Sequence, residues 1–156
     1  MEILTAYFSC TGRTRKAAER LAGSLGSDIY EIRPLVEYTE EDLAWKHGNR
    51  SSNEMEDPEA RPKLKDPCPD ISGYDIICIG FPIWWNTAPR IINSFIEGCG
   101  RNAFKDKTVF LFATSGSQDI SNAESDLRKK YDLNIKGSRL IKDPDLDIRP
   151  GSTEVR

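Results

Sequence analysis

Stretches of continuous apolar residues alternate with amphipathic stretches along the chain, and this alternation predicts strands and helices in turn. Near-continuous apolar runs occupy residues 1–8, 74–81 and 107–114, a pattern typical of strands that are buried on both faces of a parallel sheet. A shorter run with partial alternation at 28–32 predicts a second strand, and a last strand is predicted within 134–142. Five strands are therefore expected.

Amphipathic segments between these strands predict helices. Residues 15–25 place alanines and leucines on one side of a helix, and Gly26 follows at the position where helices commonly stop. Further helices are predicted at 88–97 and 120–131. Because strands and helices alternate, we expect one α/β domain over residues 1–156.

A long connection at residues 35–73 separates the second and third strands. A short helix is predicted within it at 39–46, where Thr39 and Asp42 form a capping-box-like pair. Structureless loops beyond about 12–15 residues are uncommon in compact domains. Residues 48–70 are therefore either a mobile tail or an extension that covers a site.

The turn at residues 9–14 is rich in hydroxyl groups and lies where a buried strand is followed by a helix. The N–H groups of a helix's first turn lack partners and carry the positive end of the helix dipole, which suits an anion. Hydroxyls of Ser9, Thr11 and Thr14 can donate to phosphate oxygens, and Gly12 allows close approach of the backbone. We interpret the turn as a phosphate-binding loop. The alternative is an ordinary turn whose hydroxyls cap the helix.

Two more turns at the carboxyl ends of predicted strands carry residues suited to a ligand. Pro82 ends the third strand, and the adjacent Trp84 and Trp85 follow in a loop. The fourth strand ends in the hydroxyl-rich turn 114–119. In an open α/β sheet, ligands bind at this edge.

Composition and charge narrow the classes of function. The hydrophobic fraction of 38% is that of a globular protein, and the formal net charge of −3 predicts neither nucleic acid nor a membrane as a partner. No apolar run is long enough to span a bilayer, and Glu2 breaks the layout of a signal peptide, so we expect a cytoplasmic location.

The four cysteines and the single histidine show no spacing typical of a metal site, and none is predicted. Cys78 lies in an apolar strand and Cys99 on the apolar side of a predicted helix, so both are expected in the core. Cys10 lies near a helix N-terminus, which is expected to lower the pKa of its thiol.

The order of a strand, a hydroxyl-rich loop, a helix and two later strands that end in Trp-rich or Ser/Gly-rich loops resembles the flavodoxin family over most of the chain. Residues 9–14 are similar to that family's FMN-phosphate loop, 80–89 to its first flavin loop and 114–117 to its second. The resemblance implies FMN as cofactor and a flavodoxin-like, doubly wound, five-stranded parallel sheet in the order 2-1-3-4-5. The residues it implies for FMN binding are Ser9, Cys10, Thr11, Gly12, Arg13, Thr14, Pro82, Ile83, Trp84, Trp85, Asn86, Thr87, Thr114, Ser115, Gly116 and Ser117.

Within the first flavin loop, Trp85 rather than Trp84 is expected to lie against the flavin ring. The alternative is that one of the two tryptophans is simply part of the core. The loop contains no glycine between Phe81 and Asn93, which departs from many small flavodoxins. Asn86 is then the residue best able to adopt a positive φ.

The resemblance implies an FMN-binding electron-transfer protein, for which no catalytic residue is assigned. Its partners would be redox proteins or a small electron acceptor. The alternative is an NAD(P)H-dependent FMN reductase or quinone reductase, an enzyme for which the long connection at 35–73 would serve as a lid.

One feature of the fold is expected to be missing. Right-handed crossovers place the first helix alone on one face of the sheet, where it needs a companion. Residues 143–156 carry no apolar stripe from which to build the family's last helix. We therefore expect a chain truncated at its C-terminus, or a second subunit, as in a homodimer, that covers strands three to five.

Overall fold

The five predicted strands form one parallel sheet in the order β2-β1-β3-β4-β5, which confirms the predicted topology. The computed structural model describes residues 1–44, 46–115 and 118–142. Its elements in chain order are β1 (Ile3–Tyr7), α1 (Arg13–Leu25), β2 (Asp28–Glu31), α2 (Glu40–Leu43), α3 (Arg50–Glu56), β3 (Ile76–Pro82), α4 (Arg90–Cys99), a 3₁₀ turn (Arg101–Phe104), β4 (Thr108–Thr114), α5 (Ser121–Tyr131) and β5 (Ile135–Ile141).

The register of the central strands brings three loops to one edge of the sheet. Tyr7 of β1 is level with Gly80 of β3, and Pro82 of β3 is level with Thr114 of β4. Parallel strands end at the same edge, so the turns after β1, β3 and β4 lie side by side.

Buried side chains form a cluster on each face of the sheet. The larger cluster joins α4 and α5 to the sheet, and the smaller one joins α1 to it, as right-handed crossovers require. Sheet residues of the larger cluster include Leu4, Ala6, Ile77, Ile79, Val109 and Leu111; those of the smaller cluster are Tyr7, Cys78, Phe112 and Ile141, with Ile3 and Ile76 half-buried beside them.

The face that carries α1 is only partly covered by the described residues. Phe110 of β4 is 38% exposed there, and an apolar cavity of about 400 Å³ lies between α1 and strands β3 to β5. The expected lack of a last helix concerns residues 143–156, which lie outside the described residues. The truncated chain or covering subunit, like the single-domain boundary 1–156, stays a prediction.

The lack of a side chain at Gly80 makes room for an aromatic ring on this face. A Cβ added at Gly80 would lie 2.1 Å from Cζ of Phe112, far inside van der Waals contact. The missing side chain therefore lets the Phe112 ring lie directly over β3.

The long connection between β2 and β3 is an extension built onto the core. The capping box of Thr39 and Asp42 is confirmed at the start of α2. Helix α3 was not predicted, because only Met55 of its seven residues is a large apolar side chain. Met55 is buried in the larger cluster, and Pro34 and Leu64 form an antiparallel bridge farther along.

A disulfide joins this connection to α4. Cys68 and Cys99 are bonded, with their Cα atoms 5.2 Å apart, a separation typical of disulfides. The expectation that Cys99 is a core thiol is therefore wrong, whereas Cys78 is buried as predicted. Sequence spacing could not reveal the pair, since the partners come from distant elements that the fold brings together.

Candidate functional site

The predicted phosphate loop connects β1 to α1 without any side-chain cap. Gly12 is the N-cap residue of α1, with φ 95°, and no side chain of the described residues caps the helix. The Ser9 hydroxyl instead accepts a hydrogen bond from the Gly12 N–H at 3.2 Å. The hydroxyls of this turn thus leave the first N–H groups of α1 available to an anion, which favours the phosphate loop over the ordinary capped turn.

The hydroxyl of Thr14 joins this loop to the end of β4. Thr14 and Thr114 are both buried, and their Oγ1 atoms are 2.8 Å apart. One hydroxyl donates to the other, so one O–H of the pair is left for a further acceptor. The loop is held in place by a residue that lies 100 positions away in sequence.

Three other residues of the loop differ in exposure. Thr11 and Arg13 are exposed, and Cys10 is half-buried. Burial, reinforced by the negative charge of Glu37, raises the pKa of the Cys10 thiol to about 12. The expected lowering of this pKa by the helix N-terminus is wrong, because desolvation outweighs the dipole, and the side chain is a neutral thiol.

The first flavin loop contains a tight two-residue turn. Trp84 and Thr87 exchange two backbone hydrogen bonds of 2.9 and 3.0 Å, and the two residues between them, Trp85 and Asn86, have φ values of 45° and 68°. Positive φ at both central positions is the mark of a type I′ turn. It was expected of Asn86 but not of Trp85, for which the conformation is unusual.

The two adjacent tryptophans have different surroundings. Trp84 is only 7% exposed, and its ring packs edge-on against Phe8 and Tyr38 at centroid distances of 5.6 and 5.2 Å. Trp84 is therefore a core residue. Trp85 is half-buried and faces the cavity described below.

The first flavin loop is tied to the second by side chains that the sequence did not single out. The N–H of Asn86 donates to Oε1 of Gln118 at 3.1 Å, and the N–H of Gln118 donates to Oγ of Ser115 at 2.9 Å. The Thr87 hydroxyl donates to Asp126 of α5 at 2.6 Å. Nothing in the local sequence marks Gln118 or Asp126, because their partners are known only once the loops are side by side.

Two predicted residues of the second loop, Gly116 and Ser117, lie outside the described residues. Thr114 ends β4, and its carbonyl accepts a hydrogen bond of 3.0 Å from the N–H of Ile83. Ile83 is buried beneath the turn. The two flavin loops are thus joined through backbone as well as side-chain contacts.

A cavity of about 150 Å³ lies between the phosphate loop and the first flavin loop. Its lining includes six of the predicted residues and two that were not predicted, from the long connection. These are Cys10, Thr11, Thr14, Pro82, Trp84 and Trp85, together with Leu43 and Ser51. For Leu43 and Ser51, the only indication in the sequence was the expectation that the long connection covers a site.

The lining contains hydroxyls, aromatic rings and one neutral thiol, and no carboxylate, imidazole or amine. The described residues contain no group of His, Cys, Asp and Glu that could hold a metal ion. No helix in the described parts of the chain is long and apolar enough to cross a membrane.

Fold and site together define a doubly wound α/β protein in which the helix after the first strand begins without a side-chain cap from the described residues. Comparison with protein families gives a more specific class: the Flavodoxin family model matches residues 2–146. The chain therefore belongs to the flavodoxin family, as the resemblance predicted.

Solved structures agree with this assignment. Two crystal structures, each named "putative flavoprotein", are similar to the chain. That from Bacteroides uniformis has 48% sequence identity and a TM-score of 0.87, with 90% of each chain covered. That from Bacteroides eggerthii has 49% identity and a TM-score of 0.85, covering 93% of this chain and 92% of the other.

A more distant structure, from Lactobacillus acidophilus, is a flavoprotein in complex with FMN. It shares 22% identity and a TM-score of 0.72, covering 89% of this chain and 92% of the other, and so speaks for the fold alone. A comparison with curated protein sequences finds no significant match.

Proposed function

We propose that the chain binds FMN at the carboxyl edge of the sheet and serves as an electron-transfer protein. One observation carries the proposal: three loops meet there and are tied together, through Thr14 to Thr114 and through Asn86 to Gln118. Membership of the flavodoxin family, and the FMN complex of the distant Lactobacillus acidophilus flavoprotein, support the choice of ligand.

The residues present suit both ends of FMN. The uncapped first turn of α1, with Gly12 in the left-handed conformation, provides N–H donors for a phosphate. Trp85 presents an aromatic ring beside the same cavity, suited to stacking on a flavin. All the residues that the sequence implied remain part of this proposed site.

When bound, FMN supplies the redox chemistry, and the protein supplies position and environment. The tight turn at Trp85 and Asn86 and its hydrogen bond to Gln118 fix one side of the site. The lining holds no charged acid or base, since Cys10 is a neutral thiol. This suits electron transfer better than a reaction that needs a protein acid or base.

Binding is tested by titrating the cofactor-free protein with FMN while following flavin fluorescence. We expect saturation at one FMN per chain, and Trp85→Ala to weaken affinity about 10-fold, as expected for loss of one aromatic stacking contact. Phe110→Ala is the matched control, because Phe110 is an exposed aromatic on the sheet face that carries α1 and does not line this cavity. Equal affinities of the wild type and Trp85→Ala would contradict the role of Trp85.

The alternative function is an NAD(P)H-dependent FMN or quinone reductase, favoured by the presence of Leu43 and Ser51 in the cavity wall. The two functions differ in how the FMN-loaded protein responds to NADPH. A carrier keeps its visible flavin absorbance until a redox partner or chemical reductant is added. Rapid bleaching by NADPH alone would identify a reductase and overturn the carrier assignment.

A further inference from the structure

Two residues of the long connection, Leu43 and Ser51, reach the candidate cofactor site from outside the three flavodoxin loops. Both line the same cavity as Thr11, Thr14 and Trp85. Ser51 is 1% exposed, whereas Leu43, at the end of α2, is half-buried. The β2–β3 connection thus adds a wall to the site.

This wall is held in place by contacts to the core. The Tyr38 ring packs against Phe8 and Trp84, its hydroxyl donates to Glu54 at 2.6 Å, and the Arg50 guanidinium lies 3.8 Å from the Tyr38 ring centroid. These contacts tie α3 directly to residues beneath the first flavin loop.

Helix α4 holds α3 from its other end. The Arg90 guanidinium donates to the backbone carbonyls of Glu54 and Met55, at 3.3 and 2.8 Å. Both carbonyls lie in the last turn of α3, and that of Glu54 also accepts a hydrogen bond from the N–H of the C-cap residue Asp57. The wall is therefore held by contacts within the protein at both ends of α3.

Asn49 orients Ser51 within the wall. Its side-chain carbonyl accepts from the N–H of Ser52 at 3.0 Å and from the Ser51 hydroxyl at 3.3 Å, while its amide donates to the carbonyls of Glu41 and Ala44. The Ser51 hydroxyl is thus used as a donor within the protein, and its oxygen can still accept a hydrogen bond from a ligand hydroxyl.

We propose that Ser51 and Leu43 contact the phosphate and ribityl portion of FMN and form a third wall of its site; the proposal rests on the FMN-binding function above. The cavity of about 150 Å³ is smaller than the roughly 300–1,000 Å³ of pockets that enclose drug-sized ligands. The cavity therefore accommodates only part of the cofactor. Because Thr11 and Thr14 of the phosphate loop line it, we assign that part to the phosphate end, where a ribityl hydroxyl can donate to Ser51.

Two substitutions test the wall by FMN titration of the intact chain. Ser51→Ala removes the acceptor, and we expect a rise in Kd of about 5-fold, the effect of one hydrogen bond. Leu43→Glu places a carboxylate beside the phosphate, and we expect a rise in Kd of at least about 10-fold for FMN and a smaller one for riboflavin, which lacks the phosphate.

Matched controls come from the same connection. Ser52 is as buried as Ser51 and its hydroxyl donates to the backbone carbonyl of Asn49, yet it does not line the cavity. Leu35 is 55% exposed and does not line the cavity, so Leu35→Glu controls for added charge. Ser52→Ala and Leu35→Glu should bind FMN like the wild type, and urea unfolding of each variant shows that it is folded.

The outcomes separate this proposal from the function on which it rests. If Ser51→Ala and Leu43→Glu bind FMN within twofold of a wild type that itself binds FMN, the third wall is wrong and the cofactor assignment stands. An equal loss for FMN and riboflavin in Leu43→Glu would also overturn the contact with the phosphate end. A wild type that binds no FMN would instead overturn the proposed function.

Discussion

The buried hydroxyl pair of Thr14 and Thr114 is the contact on which the geometry of the site most depends, and it can be measured. The two Oγ1 atoms are 2.8 Å apart, with the residues 2% and 5% exposed. Replacing one partner by valine keeps the side-chain shape but leaves the other hydroxyl buried without its partner, at a cost of about 1–3 kcal/mol. Thr14→Val and Thr114→Val should each lower the free energy of unfolding by this amount.

The double variant is expected to behave differently from the sum of the two. With both hydroxyls replaced by methyl groups, no buried polar group is left unsatisfied, so the free energy of unfolding should return to within about 1 kcal/mol of the wild type. The coupling energy of the double-mutant cycle is then about 1–3 kcal/mol. Urea unfolding of the cofactor-free protein, with linear extrapolation to water, gives all four values.

Two results would refute this reasoning. Additive single effects would mean that the hydroxyls do not pair, and an unchanged stability in either single variant would mean that the other hydroxyl finds a new partner. FMN affinity adds a separate readout. If the Thr14 hydroxyl also donates to phosphate, FMN affinity falls further in Thr14→Val and in the double variant than in Thr114→Val.

Three further predictions concern packing, cross-linking and pH. Gly80→Ala should lower the free energy of unfolding by about 1–3 kcal/mol through overpacking, measured by urea unfolding. Replacing Cys68 and Cys99 by serine should cost about 2–4 kcal/mol, also by urea unfolding. Hydrogen bonds from neighbouring arginine and tyrosine side chains hold the pKa of Glu97 below its ordinary value of 4.5. Ionised Glu97 therefore adds about 0.5–1 kcal/mol to the free energy of unfolding above pH 4.5, and this contribution is lost as pH falls through the lowered pKa. Glu97→Gln should therefore lose less stability than the wild type between about pH 5 and pH 3.

Each of these has its own control. Gly98→Ala, in α4 with only an ordinary 3.5 Å contact, should be neutral or stabilising; similar losses at Gly80 and Gly98 would contradict the overpacking. A reducing agent should destabilise the wild type and leave the double serine variant unchanged. If the free energy of unfolding falls equally with pH in the wild type and in Glu97→Gln, the effect of the lowered Glu97 pKa is excluded. Disulfides are rare in the reducing cytoplasm, so the Cys68–Cys99 bond argues against the cytoplasmic location that the sequence predicted.

The amino-acid sequence by itself determined the framework of this protein. Continuous apolar runs are typical of strands in a sheet covered on both faces, and the stripe on the predicted first helix must pack against that sheet, so the strands followed from the local pattern. Their order was implied by the resemblance to the flavodoxin family. The hydroxyl-rich turn with Gly12 and the two later loops were likewise visible, because the end of a strand and the start of a helix leave characteristic residues.

Tertiary structure alone decided how these parts meet. Which tryptophan ring is enclosed depends on Phe8 and Tyr38, which pack against Trp84, whereas Trp85 stays half-buried; both residues line the cavity. Helix α3, with the wall residue Ser51, has little apolar periodicity of its own and is stabilised by contacts to the core and to Arg90. Such contacts join residues far apart in sequence, so no local pattern records them.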